Sequence, residues 1–195
     1  MKTYQVIIFA RAPQLGYGKR RLARDIGDQR AFDFYKSNLQ RLIQELSGQR
    51  WQLHVAVASE PERHHRVFDG LSMLVQPEGD LGHRMSTVLA QFNGHTRLIV
   101  GSDIPDLVSS HISEALMALS THQLVFGPAV DGGFWGVGCC AKYEPDLTFM
   151  QDVRWSSPNA LADTLASIKP EIKVAEVTRL ADVDDFDSFT SVQLG

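Results

Sequence analysis

The sequence predicts a single-domain, three-layer α/β sandwich in which a mostly parallel sheet carries helices on both faces. Apolar runs of strand length alternate with segments of 3.6-residue period along the chain. The 195 residues fit one domain with a substantial core and would cramp two. Hydrophobic content of 44% and charged content of 22% suit a globular protein, and no repeat, low-complexity tract or linker interrupts the alternation.

The first strand is the apolar run 5–10. Phe32, Tyr35, Leu39, Leu42, Ile43 and Leu46 then follow helical spacing, and Gly48 stops that helix. Residues 52–58 (QLHVAVA) read as a second strand, 60–68 as a short helix and 71–76 as a third strand. Asp80 caps a helix whose inner face is Leu81, Met85, Val88, Leu89 and Phe92. A fourth strand, 97–100, runs into GSDIPDL. Ser109 or Ser110 starts the next helix, with Ile112, Ala115, Leu116 and Leu119 inward. Strands follow at 123–126 and 134–140, separated by GPAVDGG. Ser157 and Pro158 read as N-cap and first-turn proline of a helix bearing Leu161, Leu165 and Ile168. A last strand covers 172–177, and the acidic tail from Asp182 reads as the start of a short helix.

Charge singles out one segment. Residues 11–24 contain Arg11, Lys19, Arg20, Arg21 and Arg24 and no acid, a local charge of +5 in a chain of −4, so the remainder sums to −9 (−4 minus +5). A glycine-containing basic loop directly behind the first strand of such a sheet is a place for an anion, most often phosphate. A solvated loop whose arginines pair with nearby acids is the plainer reading. The loop is not a P-loop, because Pro13 and Arg20 stand where Gly and Ser or Thr belong. It is not a dinucleotide fingerprint either, because Arg21 replaces the third glycine. Gly16 and Gly18 still let backbone approach a ligand, while Lys19 and Arg21 can neutralise phosphate oxygens.

Three further loops follow strands and so face the same crevice. QPEGDLGHR, 76–84, suits base or ribose recognition, and a capped turn explains the same letters. In GSDIPDL, Asp103 sits directly behind the strand, where magnesium or manganese favours a carboxylate; Asp106 reads as a turn residue. In GPAVDGG, Asp131 offers a second carboxylate, and Gly132-Gly133 either turns a hairpin or clears space for a sugar.

Other chemistries find little support. The net charge of −4 and the lack of a basic face beyond the first loop argue against nucleic acid as a partner. No apolar run approaches the roughly 20 residues of a membrane span, and the N-terminus reads as the first strand of a cytoplasmic protein. Adjacent Cys139 and Cys140 would point to opposite faces of a strand, against a disulfide framework or zinc site. The histidines offer no H-x-x-x-H pair, Ser102 lacks a G-x-S-x-G setting, and the acids at 182, 184, 185 and 187 lack the glycine and glutamate of a calcium loop. Trp155 could stack on a ring or pack the rim.

In order, FARAPQLGYGKRRL, QPEGDLGHRM, GSDIPDL, GPAVDGGF, WSS and DVDD resemble a little-characterised bacterial family of GT-A-type transferases, usually labelled glycosyltransferases. That family's runs are F-A-R-x-P-x-x-G-x-x-K-T-R-L, Q-x-x-G-D-L-G-x-R-M, G-S-D-x-P-x-L, G-P-x-x-D-G-G-Y, W-S-T and D-V-D-T. Its fold, that of nucleotide-diphospho-sugar transferases, is similar to the molybdopterin and deazaflavin-cofactor guanylyltransferases. The resemblance implies Arg11, Gly16, Lys19 and Arg21 at the nucleotide phosphates and Gly82 and Arg84 near base or ribose. It implies Asp103 on a divalent metal (Mg²⁺ or Mn²⁺) and Asp131 near metal or acceptor. Arg20 replaces the family threonine, Phe134 the tyrosine and Asp185 the last threonine, so phosphate contacts and acceptor preference can differ.

The expected partners are a nucleotide sugar or nucleoside triphosphate and a small-molecule acceptor. Lys19 and Asp131 are the catalytic candidates, the first against phosphate charge and the second as base for an acceptor hydroxyl. The family label favours glycosyl transfer, and the basic loop, able to hold a triphosphate tail, favours nucleotidyl transfer. The D-x-D metal motif of many GT-A glycosyltransferases does not follow the fourth strand, where Gly101-Ser102-Asp103 stands. A non-catalytic nucleotide- or anion-binding protein is the reading from another class.

Overall fold

Strand β1, Tyr4–Ala10, sends alternate side chains to opposite faces, with Val6 and Ile8 in one apolar cluster and Ile7 in another. The computed structural model describes residues 4–145, 149–183 and 190. Six further strands join β1: β2 Trp51–Val57, β3 Ser72–Val75, β4 Arg97–Gly101, β5 Leu124–Pro128, β6 Phe134–Cys139 and β7 Val174–Glu176. Their order is β3-β2-β1-β4-β6-β5-β7. Among the described strands only β6 runs antiparallel, because the 129–133 link from β5 is a hairpin too short for a parallel crossover. The carboxyl ends of the other six strands therefore share one edge.

Among the described residues, α-helices cover the sheet: α1 Arg20–Ile26, α2 Asp28–Leu46, α3 Leu81–Ala90, α4 Ser109–Ala118 and α5 Ala160–Ala166. On one face α2 brings Leu39, Leu42 and Leu46, and α4 brings Ile112, Ala115 and Leu116, against Val55, Val57, Leu98 and Val100. Full burial of each such leucine stabilises the fold by about 1.5–3 kcal/mol. On the other face α3 supplies Met85, Val88 and Leu89, with Leu161 and Leu165 of α5, against Ala56, Ile99, Phe126 and Val137. The three layers match the sequence expectation.

Four local readings change. The basic segment is a loop only to Lys19, since Arg20 opens α1 and its Leu22 is fully buried beside Ala31 and Val183. Residues 60–68 form two 3-10 turns, Glu60–His64 and Arg66–Phe68. Ser157 does not cap α5: its hydroxyl donates to Arg154 O (2.6 Å) and accepts from Asn159 N (3.2 Å), delaying the helix to Ala160. Asp182 is not helical, and Asp184, Asp185 and Asp187 lie outside the described residues. Cys139 and Cys140 are free thiols, as the adjacency implies.

Candidate active site

Two clefts open at the shared carboxyl edge, and Asp103 lines both. The first, of about 440 Å³, lies between the 101–104 and 129–133 loops and the segment before α5. Asp103, Asp131 and Asp182 line it with Arg21, and Leu81, Phe134, Trp155 and Pro158 form an apolar wall. The second, of about 300 Å³, lies behind β1, where Arg11, Tyr17, Gly18, Lys19, Glu62 and Gln76 line it.

Lys19 stands between Gly18 and α1 in the left-handed region, φ 43°, which a non-glycine residue adopts at a cost of about 1 kcal/mol. That turn sends its ammonium to Asp103 Oδ2, 3.0 Å away, and to the carbonyl of Val183. The lysine side chain is 8% exposed and the aspartate 39%. The sequence reading has the basic loop and the Asp103 loop face one crevice without naming a contact between them; Lys19 and Asp103 form an ion pair across the junction of the clefts.

A polar stripe of α2 holds both loops. The Tyr35 hydroxyl donates to Arg11 O (2.9 Å), accepts from Arg11 N (3.1 Å) and lies 3.3 Å from Ser102 Oγ. Burial first pushes the Tyr35 phenol above its usual range. Asn38 donates to Ser102 O (2.9 Å), Arg41 to Leu107 O and Ile104 O, and Glu45 accepts from Ser109 N (2.9 Å). Residues 35, 38, 41 or 42 and 45 share one helix face, so one rigid element fixes the Asp103 loop. Glu62 closes the first loop by accepting from Ala12 N (2.7 Å). The helical reading assigns Tyr35 to the apolar face and gives Asn38, Arg41 and Glu62 no role; polar residues bordering an apolar stripe were the available signal.

Asp182 is the other residue that reading missed. Burial first, then the charges of Asp131 and Asp103, push its carboxyl up to about 6. Three carboxylates thus share one cleft and feel one another. Their hard oxygens are the chemistry that Mg²⁺ or Mn²⁺ takes. Among the described residues no three carboxylate, imidazole or thiol groups make a ready metal cage, so an ion here would complete its shell with phosphate oxygens or water.

Asp131 is exposed in the β5–β6 turn, and its Oδ1 accepts from Gly133 N at 2.8 Å. Gly132 has φ 89°, and a Cβ there would stand 2.1 Å from Pro158 O. The glycine pair therefore serves the hairpin and the packing of the α5 entry. Gly16, φ 77°, lies on the exposed turn outside both linings. Arg11 lines the second cleft and Arg21 the first.

Gly82 and Arg84 lie in the first turn of α3, outside both linings. Asp80 caps that helix by accepting from His83 N (2.8 Å), and Arg84 donates to Asp80 O and Gln76 Oε1, both at 3.3 Å. A Cβ on Gly82 would fall 2.5 Å from Met150 O and 2.8 Å from Trp155 Cζ2. Gly82 thus sets the seat of the Trp155 wall. Gly82→Ala is expected to cost about 1–3 kcal/mol by overpacking. Chemical denaturation measures it, and an unchanged midpoint would refute the packing role.

Solved proteins share this architecture. A family model described as "Uncharacterized protein conserved in bacteria (DUF2064)" matches residues 42–157. A crystal structure from Desulfovibrio desulfuricans G20, of a protein provisionally named a nucleotide-diphospho-sugar transferase, superposes with TM-score 0.86 at 26% identity, over 95% of this chain and 84% of that one. A 4-diphosphocytidyl-2C-methyl-D-erythritol synthase from Anaerococcus prevotii DSM 20548 gives TM-score 0.61 at 9% identity, over 98% and 96% of the two chains. Glucosyl-3-phosphoglycerate synthase from Mycobacterium tuberculosis, in complex with Mn²⁺, UDP and glucosyl-3-phosphoglycerate, gives 0.55 at 11%, over 97% and 75%. No curated protein matches the chain by sequence. The fold is GT-A-like. Among the described residues no helix is long and apolar enough to cross a membrane.

Proposed function

The chain belongs to the bacterial DUF2064 family, and from that premise we propose that it is a metal-dependent GT-A-type transferase using an activated nucleotide, with glycosyl transfer from a nucleotide sugar as its reaction. The observation that supports this is the Lys19–Asp103 pair at the junction of two clefts, with Asp131 and Asp182 in the first of them. The second cleft takes the nucleotide, its phosphates beside Lys19 and Arg11. The first takes the sugar and the acceptor.

Asp103 and Asp182 would hold a divalent ion, which supplies charge stabilisation on the leaving phosphate oxygens. Asp131, on the exposed turn, is left for the acceptor: its carboxylate takes the proton of the attacking hydroxyl. The acceptor oxygen bonds to the anomeric carbon, and the bond from that carbon to the diphosphate breaks with its electron pair on oxygen. Lys19, released from Asp103, neutralises the departing diphosphate. One solved protein of this fold, glucosyl-3-phosphoglycerate synthase, holds Mn²⁺ with UDP, which supports the same class of donor here.

Nucleotidyl transfer is the second reading, favoured by the basic loop: an acceptor oxygen would attack the α-phosphorus and pyrophosphate would leave. Product analysis separates the two. Incubation with Mn²⁺, a nucleotide-sugar and nucleoside-triphosphate panel and a pool of hydroxyl compounds is expected to release nucleoside diphosphate. Pyrophosphate release would replace the first reading by the second. Nucleotide binding without turnover of any donor would leave a binding protein that has kept the fold.

A further inference from the structure

Resting on that reading, we infer that the acceptor is an uncharged hydroxyl compound with an apolar or aromatic face, rather than a phosphorylated or carboxylated one. The charge lining the first cleft carries the argument. Among the described lining residues Asp103, Asp131 and Asp182 face a single cation, Arg21, which is itself engaged. The nearest further ammonium, Lys19, points at Asp103 and the Val183 carbonyl. A divalent ion would offset two of the negative charges, while Lys19 and Arg11 of the second cleft would be taken up by the donor phosphates, so neither cation is left to meet the acceptor. An anionic acceptor would thus meet carboxylates in a cleft where repulsion is screened less than in bulk water.

The rest of the lining suits a neutral molecule. Phe134 stands edge-on to Phe126 (5.3 Å, 77°) and to Trp155 (6.2 Å, 70°), so three rings brace one wall. Leu81 and Pro158 extend it. Phe134 offers ring surface without a hydroxyl. A hydroxyl-bearing ring or chain can lie on this wall and present one oxygen to Asp131.

The test uses two probes differing by one phosphate: phenyl β-D-glucopyranoside and its 6-phosphate. Calorimetry first measures nucleoside diphosphates with Mg²⁺; failure of all of them to bind overturns the transferase reading itself. With the bound Mg²⁺–nucleotide present, saturation-transfer NMR is expected to show the neutral glycoside, strongest at its phenyl protons. The phosphorylated probe should bind at least about tenfold more weakly, the scale that unscreened like charges impose. Asp131→Asn, shown by the same calorimetry to retain nucleotide, should narrow that gap several-fold. A phosphorylated probe that binds as well as the neutral one, no transfer to the neutral probe, or a gap unmoved by Asp131→Asn each overturns the acceptor assignment while leaving nucleotide binding intact.

Discussion

Asp103→Asn is expected to abolish the gain in nucleotide affinity that Mn²⁺ confers, and Lys19→Met to move metal and nucleotide in opposite directions. Lys19 holds Asp103 Oδ2 at 3.0 Å and is nearly buried, so a divalent ion arriving alone must displace an ammonium already in place. Removing that ammonium without removing the carboxylate should tighten Mn²⁺ alone by about tenfold, a modest share of the attraction that close charges exert at a protein surface. The same change should weaken nucleotide binding, because the phosphates lose their cation. In the parent, metal and nucleotide should then assist each other: phosphates that drew Lys19 away would leave Asp103 Oδ2 free to hold a metal. Asp103→Asn keeps the shape and one acceptor oxygen but removes the charge that would hold the metal, and with it the bridge between metal and nucleotide. Because the two residues touch, the double variant should deviate from the sum of the singles. Titration of Mn²⁺ by paramagnetic relaxation, with and without nucleoside diphosphate, reads all four proteins. Parent-like metal dependence in Asp103→Asn would remove Asp103 from the metal site, and an unchanged Mn²⁺ affinity in Lys19→Met would remove the competition.

The alternation of strand-length runs and helical spacing sufficed for the layers, because side-chain period is what buries either element. Asp103, directly behind a strand, was readable at the crevice for the same reason: in a parallel sheet the carboxyl end of each strand has one place to go. What could not be read was contact across the chain. Nothing local to Lys19 says that its left-handed backbone turns it to a residue 84 positions away. Nor does an acidic tail announce that Asp182 returns to face Asp131. Gly132 shows a second limit. Its missing side chain fits a hairpin or room for a sugar equally well, and the space beside it is taken by Pro158. A glycine in a motif reports that something lies close; it does not say whether that is a substrate or the protein's own backbone.

Arg97→Met is expected to be the most destabilising of these substitutions, although the residue reads only as the first of a strand. Arg97 is fully buried, and all five of its N–H donors are used. Nε donates to Leu89 O (3.1 Å), one terminal nitrogen to His95 O (3.1 Å) and Cys140 O (3.0 Å), the other to Asn93 Oδ1 and Tyr143 O (both 2.9 Å). One side chain thus ties the end of α3, the turn after it and the exit of β6 to the start of β4. Methionine fills part of the volume and satisfies none of these acceptors, and each buried acceptor left alone costs about 1–3 kcal/mol, less where water can enter. A loss of about 3–5 kcal/mol follows, or a fall of roughly 10 °C or more in Tm for a chain of this size. Lysine brings three donors without the planar fork, so Arg97→Lys should fall between parent and Arg97→Met. Arg97 lies at the opposite end of β4 from Asp103, so Arg97→Lys should bind Mn²⁺ and nucleotide like the parent below its melting range. A Tm within about 2 °C of the parent in Arg97→Met would show that the network contributes little net stability. Altered nucleotide affinity in folded Arg97→Lys would show that this end of β4 bears on the Asp103 loop.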